Sequence, residues 1–414
     1  MAVEEPCPKR RQWRRFASLG AVAALAIPVA AYAATGPASR EHGPAAKASA
    51  AVGGGFKRVL YRGYAFQVPR SWPVIDLAKR RATCVRFDRH AVYLGQPPRN
   101  QSCPSRLVGR TEALLIQPGP RSSGWSSVEN PVADQITATA PMIKVTATFG
   151  AGLRQVDQIL ASAALRTPVV DTPDPARAAA MPRLRLSVKN TNYQGRGFDA
   201  CAAPSASYMS AWRRRSPFRA IGVYIGGSQR ACAQPNLTAG WLRQQAKAGW
   251  HFMPMYVGPQ AEFGQLGRHP GHQGRAAAND AVMQAERLGF GPGTPLYYDM
   301  EAYGPSQRHA ALAFLSSWTS RLHALGYASG VYGSSGAGVG YLAEQYFTHK
   351  YALPDVIFDA LWNGKRDTAD SVFKSGEWTN HHRAHQFAGN VTQSYGGDTI
   401  EIDQDFLNVK LAGG

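Results

Sequence analysis

The sequence predicts an α/β protein: a (β/α)8 TIM-like barrel over residues 191–414, preceded by a small α+β or β-rich domain over residues 56–165. Two observations lead to this prediction. After residue 197, short apolar runs alternate with helical stretches and give eight candidate strands, the number that such a barrel needs. Before residue 166, short extended runs follow one another with a single candidate helix. An open doubly wound sheet is the structural alternative for the second half.

The chain begins with the features of a secretory signal peptide, residues 1–33. A basic stretch, residues 9–16, precedes an apolar run, residues 19–33, which ends in the small-residue pattern AYA. The apolar run is short for a membrane helix and contains Pro28, so a retained anchor is the less favoured alternative. Two arginine pairs indicate the twin-arginine export route. We therefore expect an extracellular mature protein without a stable membrane anchor.

Positive charge dominates the composition. Lysine and arginine total 46 residues against 27 acidic ones, and the net charge is +19. Removal of residues 1–33 takes away five basic and two acidic residues and leaves +16. Outside the cell, such a protein is expected to adhere to anionic polymers of a wall or membrane surface; the alternative is that the charge only aids solubility. The basic residues are dispersed rather than interleaved with aromatic residues on one helix, so no nucleic-acid partner is predicted.

Four cysteines remain in the mature chain, and an even number in an exported protein predicts disulfides. Three connectivities are open. The pairs Cys84–Cys103 and Cys201–Cys232 are preferred because each bridge then stays within one predicted domain. No C-x-x-C spacing suggests zinc, and neither a metal nor a cofactor is predicted.

The segments outside the barrel differ in composition. Residues 34–55 are rich in alanine, glycine and proline and predict a flexible leader. Residues 56–165 contain the extended runs and close with a candidate helix at residues 154–165. Residues 166–190 contain four prolines and predict a linker to the barrel.

Candidate helices lie between most of the predicted barrel strands. In one of them, apolar residues from Leu312 to Leu325 step by three, three, four and three, which places them on one stripe, and Gly326 is a suitable terminator. The last two gaps between strands are too short for full helices, so an irregular final third is predicted. The eight strands are expected at residues 197–200, 220–227, 249–258, 295–301, 327–335, 354–362, 383–389 and 400–406.

Carboxylates, aromatic residues and one amide fall at the ends of these strands, which meet at one mouth in a barrel. Residues two apart on a strand share a face, so Asp299 and Glu301 point together while Met300 turns toward a helix. Crowding in a partly apolar site raises one carboxyl pKa, and a protonated carboxyl beside an ionised one is what acid-assisted glycoside cleavage requires. Aromatic faces suit sugar rings. The predicted site residues are Asp199, Tyr224, Tyr256, Asp299, Glu301, Tyr332, Trp362, Gln386 and Asp403.

Two other readings of the carboxylates remain open. The acids can belong to a buried salt-bridge network with arginine rather than to a site. Alternatively, Asp299, Glu301 and Asp403 can hold a divalent cation, since oxygen-only clusters suit hard cations, although no spaced ligand loop is visible.

The motifs GFDA, YYDME, HQF and IDQD, in this order and with tyrosine-rich strand ends, resemble the secreted glycoside-hydrolase-like domain common in actinobacteria, which is itself similar to glycoside hydrolase family 25 lysozymes. The resemblance covers residues 197–406 and implies a protein that acts on or binds a cell-wall polysaccharide such as peptidoglycan. It implies that Glu301 is the general acid/base, that Asp299 stabilises developing positive charge or orients a neighbouring group, and that Asp199 and Asp403 support them. The alternative is a non-catalytic carbohydrate-binding or wall-associated accessory protein.

Overall fold

A computed structural model describes residues 55–121, 124–166, 168–170 and 190–413. The predicted signal peptide and nearly all of the predicted leader and linker lie outside these residues. Residues Gly53–Gly414 form one unit, which contains an N-terminal sheet region and a barrel. Most strands are as short as the sequence pattern indicates, but three barrel strands span 10, 14 and 16 residues and extend beyond the predicted runs.

The N-terminal sheet region consists of a hairpin, β1 (Phe56–Tyr61) and β2 (Tyr64–Pro69), and a seven-stranded mixed sheet ordered β3-β4-β5-β8-β7-β6-β9. Helix α1 (Leu153–Ser162) covers one face of this sheet, because alternate residues such as Ile136 and Val145 pack against Ile159. The sheet strands are β3 (Val74–Asp76), β4 (Val92–Leu94), β5 (Ala113–Pro118), β6 (Ser126–Asn130), β7 (Gln135–Ala140), β8 (Ile143–Thr148) and β9 (Val169–Val170).

The second half is a closed barrel of eight strands, which confirms the predicted fold class. Neighbours are parallel from β10 to β16, but the last strand is antiparallel to both of its neighbours, so the barrel is mixed. The irregular final third follows from the short gap between β16 and β17, which a hairpin fills. The strands are β10 (Asn190–Asp199), β11 (Ala220–Gly226), β12 (His251–Tyr256), β13 (Pro295–Asp299), β14 (Ala328–Ser334), β15 (Val356–Ala360), β16 (His382–Tyr395) and β17 (Asp398–Gly413).

Helices surround the barrel and bury the apolar stripes that the sequence predicts. Leu312, Leu315, Trp318 and Leu322 all face the barrel, and Gly326 follows the helix with a φ of 81°. Within the described part of the chain, no helix is long and apolar enough to cross a membrane. The helices are α2 (Ala206–Arg215), α3 (Ala239–Lys247), α4 (Pro270–Leu288), α5 (Arg308–Ala324) and α6 (Gly340–Ala343).

Strand alternation decides which side chains enter the barrel. On β13, Tyr297 joins the interior cluster, whereas Tyr298 and Met300 pack among the helices. The same period of two places alternate β17 residues, including Leu407 and Val409, in the interior. Residues of the same parity at the strand ends therefore point into the mouth.

The sheet region is attached to the barrel beside this mouth. Extended residues 85–87 exchange backbone hydrogen bonds with residues 231–233, and Val108 forms a backbone bridge with Arg230. The disulfides Cys84–Cys103 and Cys201–Cys232 are both present, in the preferred pairing. They lie side by side, with Cys84 Sγ 3.8 Å from Cys232 Sγ. One disulfide belongs to each region, so the contact between them joins the two.

Candidate functional site

The deepest part of the mouth is a pair of aspartates on neighbouring strands. Asp199 at the end of β10 lies directly opposite Asp403 on β17, and both are almost completely buried. Side chains in such opposed positions lie close together on one face. Tyr224 Oη donates a hydrogen bond of 2.7 Å to Asp199 Oδ1, and Gln386 Nε2 donates one of 3.0 Å to Oδ2. Asp199 is thus held in place by both of its oxygens.

Gln386 connects this pair to the aromatic rim. Its Oε1 accepts hydrogen bonds from Tyr332 Oη at 3.0 Å and from Trp362 Nε1 at 2.9 Å. The Trp362 ring is half exposed and lies over Gly389, where a Cβ atom would be 1.9 Å from the ring. A glycine is required there for the indole to reach Gln386. The tryptophan therefore presents an apolar ring to solvent at the edge of the mouth, a suitable platform for a sugar.

Asp299 and Glu301 follow β13 into the mouth. Met300 between them is buried among the helices, in agreement with the predicted alternation. Gln260 fixes this turn: its Nε2 donates to the Asp299 carbonyl at 2.8 Å, and its Oε1 accepts from the Glu301 amide at 2.9 Å. Asp299 is buried, and its Oδ1 has no hydrogen-bond partner among the described residues. Glu301 lies nearer the opening.

Two residues of the N-terminal sheet region close the mouth. Arg106 donates a hydrogen bond of 2.7 Å from Nε to Glu301 Oε1 and also pairs with Oε2 through Nη2. Its guanidinium lies 5.5 Å from the Tyr332 ring centroid. Ser105 Oγ lies 2.8 Å from Asp403 Oδ1, which also accepts the Asn390 amide at 2.6 Å. One cation and one hydroxyl from the neighbouring region thus occupy the space in front of the carboxylates.

Burial is the main cause of the perturbed acidities. It raises the pKa of Asp299 to about 6, against a lowering by Arg106 and with a further rise from Asp403. It raises the pKa of Asp199 well above its ordinary value, and the adjacent Asp403 adds to the effect. The pKa of Asp403 is raised by burial despite the bonds from Asn390 and Ser105, which favour the ionised form. Burial thus raises the pKa of three carboxyls in the mouth, whereas Glu301 is paired with Arg106.

A further aspartate, Asp405, lies below this layer. It faces the barrel interior opposite Gly197, it is completely buried, and neither carboxylate oxygen has a hydrogen-bond donor in the described part of the chain. Burial and the neighbouring Asp199 and Asp403 raise its pKa well above the ordinary value. The IDQD motif contains Asp405, and its spacing of two from Asp403 on a strand could have indicated that both share a face.

Tyr256 is not at the mouth, so its predicted place was wrong. Met253, Met255 and Val257 occupy the interior positions around it, and strand alternation turns Tyr256 outward. Its hydroxyl donates a hydrogen bond of 2.8 Å to Asp280 Oδ2 on α4. The other eight predicted residues do converge: Asp199, Tyr224, Asp299, Glu301, Tyr332, Trp362, Gln386 and Asp403. Their roles in binding or catalysis stay predictions.

Apart from Asp405 on β17, the site residues outside the prediction come from loops. Arg106 and Ser105 were missed because the N-terminal region carries no motif and its packing on the barrel depends on distant contacts. Gln260 lies in a loop after β12, where the sequence gives no periodic signal.

Within the described ranges, one group of at least three His, Cys, Asp or Glu side chains has all its ligand atoms within 4.8 Å of one another. It consists of Cys84, Cys103 and Cys232, which are held in disulfides. The mouth carboxylates do not form such a group.

Comparison with known families agrees with this geometry. Residues 210–407 match the Rv2525c-like, glycoside hydrolase-like domain. The resemblance expected from the motifs is thereby confirmed, and the barrel is glycoside hydrolase-like. A comparison with curated proteins found no match.

Two solved structures align with parts of this chain. An uncharacterised protein of B. stearothermophilus aligns with 51% of this chain and 95% of its own, at 15% identity and a TM-score of 0.34. The modular autolysin LytC from Streptococcus pneumoniae aligns over 68% of this chain and 57% of its own, at 9% identity and a TM-score of 0.37.

Proposed function

We propose that this protein is an exported glycoside hydrolase that cleaves a cell-wall polysaccharide such as peptidoglycan at the barrel mouth. The observation that supports the proposal best is the convergence of Asp199, Asp299, Glu301 and Asp403 at one end of a glycoside hydrolase-like barrel. Such barrels carry their chemistry at the carboxyl ends of the strands. The raised pKa of Asp299 supplies a carboxyl that changes protonation near neutral pH.

In this scheme Glu301 donates a proton to the glycosidic oxygen as the bond between that oxygen and the sugar carbon breaks. Asp299 faces the positive charge that develops on the sugar ring. Water then adds its hydroxyl to the sugar carbon and returns its proton to Glu301. Asp199 and Asp403 line the base of the site, and Gln386 with Tyr224 holds Asp199 in position. Trp362 and Tyr332 stack on or bond the sugar.

Arg106 must move before this reaction can begin. An arginine paired with a carboxylate through two nitrogens stabilises the ionised form, and an ionised Glu301 has no proton to donate. The guanidinium also fills the space that a sugar would occupy. We therefore infer that the productive complex has the Arg106–Glu301 pair broken and the segment around Ser105 withdrawn from Asp403.

The test is incubation of the mature protein with purified peptidoglycan and other wall polymers, followed by mass spectrometry of the released fragments and a reducing-end assay. Glu301→Gln should abolish release, at least a hundredfold, because general acid catalysis contributes about that much. Glu344→Gln is the matched control, since Glu344 also pairs with an arginine, Arg308, but at the surface. Equal release by the wild type and Glu301→Gln would overturn the catalytic role.

A second function, glycan binding without hydrolysis, is favoured by one observation: Arg106 neutralises the residue that should act as the acid. A protein of this kind would retain wall polysaccharide in the mouth and release no fragments. Sedimentation with insoluble peptidoglycan measures this directly. Trp362→Ala should weaken sedimentation because it removes the exposed ring. Trp125→Ala removes a comparably exposed ring of the sheet region and is the control, which should sediment as the wild type does. Equal sedimentation of both variants would exclude binding at the mouth.

We also propose export by the twin-arginine route and association with the outer wall, with an anionic wall polymer as partner. The basic n-region, the apolar run and the net charge of the mature chain support this. Replacement of all four arginines of the two pairs by lysine should block appearance of the mature protein outside the cell. Unchanged export would exclude that route.

A further inference from the structure

A polar groove separates the sheet region from the barrel, apart from the mouth. It consists of two adjoining cavities of about 330 and 380 Å³. The outer face of β6, β7 and β8, which is the face away from α1, forms one wall; the end of β11 and the last turns of α4 form the other. Both cavities are lined by Gln135, Ile225, Arg230, Gln284 and Arg287, so they form one continuous groove.

Every charged residue that lines this groove is a cation. They are Arg110, Lys144, Arg230 and Arg287, and no carboxylate among the described residues lines either cavity. The protein has 27 acidic residues, so its net positive charge alone does not account for a groove lined by cations only. A cleft lined by one sign of charge concentrates ligands of the opposite sign.

Arg110 is buried and Arg230 is partly buried, and neither has an ion-pair partner among the described residues. Arg230 Nη1 donates to the Tyr224 and Ile225 carbonyls, each at 3.2 Å, and Arg110 Nη2 donates to the Arg230 carbonyl at 2.8 Å. The Nε atoms of both arginines are buried and unbonded. Burial lowers the pKa of Arg110 to about 9, with a contribution from Arg230, and lowers the pKa of Arg230 to about 10. Buried charges are normally paired, so this pair lacks an anion.

Nearby acids offset only part of this charge. Asp280 and Asp134 act on Arg110 through space, but among the described residues neither forms an ion pair with Arg110 or Arg230. Asp280 is already bonded to Tyr256, and burial raises the pKa of Asp134 to about 7. An external anion would therefore meet a positive field.

The remaining two cations lie at the edge of the groove. Arg287 and Lys144 are exposed, and neither forms a hydrogen bond or ion pair with its side chain in the described ranges. Between them the sheet contributes hydroxyl and amide groups from Ser126, Gln135 and Thr137. This combination of free cations and neutral hydrogen-bonding groups suits a ligand that has both negative charges and hydroxyls.

We propose that this groove binds an acidic polysaccharide, whose carboxylate or phosphate oxygens contact the arginines and Lys144 while its hydroxyls bond the polar face of the sheet. The shared chemistry is an oxyanion on a sugar or polyol chain, from either a uronic acid or a phosphodiester-linked polymer. Guanidinium groups pair with both. The groove is a second site on the protein, and it retains the polymer whether or not the mouth hydrolyses a glycan.

The test measures equilibrium binding of three oligomers of matched length to the full mature protein. The oligomers are oligogalacturonate, poly(glycerol phosphate) and a neutral cello-oligosaccharide. Both anions, or one of them, should bind, the neutral chain should not, and added salt should weaken binding. The variant Lys144→Ala/Arg287→Ala should weaken binding about tenfold, since two exposed charge contacts supply roughly that factor. Preference for one anion identifies the source of the oxyanion.

The matched control is Arg243→Ala/Lys247→Ala, which removes the same charges from the exposed face of α3. Its binding should equal that of the wild type. Ser126→Glu should also weaken binding, because it adds a carboxylate to the exposed end of the groove. Equal losses in the two double variants would show attraction by net charge and overturn the proposal, as would an absence of binding to both anions. Glu301→Gln should bind as the wild type does, so failure of the hydrolase proposal would leave this result intact.

Discussion

The mouth and the groove both form where the sheet region meets the barrel, but they treat charge in opposite ways. The mouth gathers Asp199, Asp299, Glu301, Asp403 and Asp405 and meets them with one arginine, Arg106. Of the residues that the structure describes, four cations and no carboxylate line the groove. In the mouth the acids are buried and Arg106 pairs with Glu301; at the edge of the groove Lys144 and Arg287 are exposed and unpaired among the described residues.

The two sites differ because burying a charge costs free energy and exposing one does not. Burial raises the pKa of an acid unless a cation pairs with it, so the ionisation of a buried acid is linked to folding. Exposed cations stay hydrated, so they affect binding and leave folding unchanged. The sheet region takes part in both sites: it contributes Arg106 and Ser105 to the mouth and one wall to the groove. Substitutions in the mouth should therefore change stability, and substitutions at the edge of the groove should change binding alone.

The largest effect on stability is expected at Asp299. Its pKa is 3.8 in an unfolded chain and about 6 in the folded protein, so the folded state binds the extra proton between these values. Stability therefore falls as pH rises from about 4 to 6, and Asp299→Asn, which cannot ionise, avoids this loss. The variant should gain about 3 kcal/mol at pH 7 and almost nothing near pH 4.

Chemical unfolding of wild type and Asp299→Asn across pH 4 to 7 measures this. Asp355→Asn is the control, because Asp355 lies outside the mouth, is partly exposed and pairs with His323. If the difference between wild type and Asp299→Asn did not change with pH, Asp299 would not be the buried titrating group of the mouth.

The next largest effect on stability is expected from the Arg106–Glu301 ion pair. Arg106→Met keeps the apolar stem but leaves Glu301 without its cation, and should cost about 2 kcal/mol, less than a fully buried pair because Arg106 is 27% exposed. Glu301→Gln in the same chain should restore at least half of the loss. The surface variant Arg308→Met should cost under about 1 kcal/mol. Additive effects in the double variant would contradict a coupled pair.

The sequence predicted the barrel better than the sheet region for a physical reason. Alternating apolar strands and striped helices are local signals, and the strand ends of a barrel meet wherever the loops go. That logic placed Asp199, Asp299 and Asp403 together. Arg106 and Gln260 depend on how loops pack, which no local pattern encodes. Tyr256 shows the finer limit: one residue of strand parity separates the interior from the helix layer.

A smaller effect on stability is expected from Tyr256, which tests whether strand alternation turns its side chain away from the mouth. Tyr256→Phe removes the hydrogen bond to Asp280, and Tyr224→Phe removes the one to Asp199, so each should cost about 1.5 kcal/mol of stability. Only Tyr224 faces the mouth. Fragment release or glycan sedimentation should therefore fall in Tyr224→Phe and stay at the wild-type level in Tyr256→Phe. A reversed result would place Tyr256 in the site after all.

The smallest expected change is in the stability of Lys144→Ala/Arg287→Ala. Both side chains are exposed and unpaired in the described structure, so their removal takes away no hydrogen bond or ion pair. The midpoint of chemical unfolding should move by less than about 0.5 kcal/mol in free energy, while binding of the acidic chain falls about tenfold. A large loss of stability would mean that these cations are structural, and the groove would then resemble the mouth.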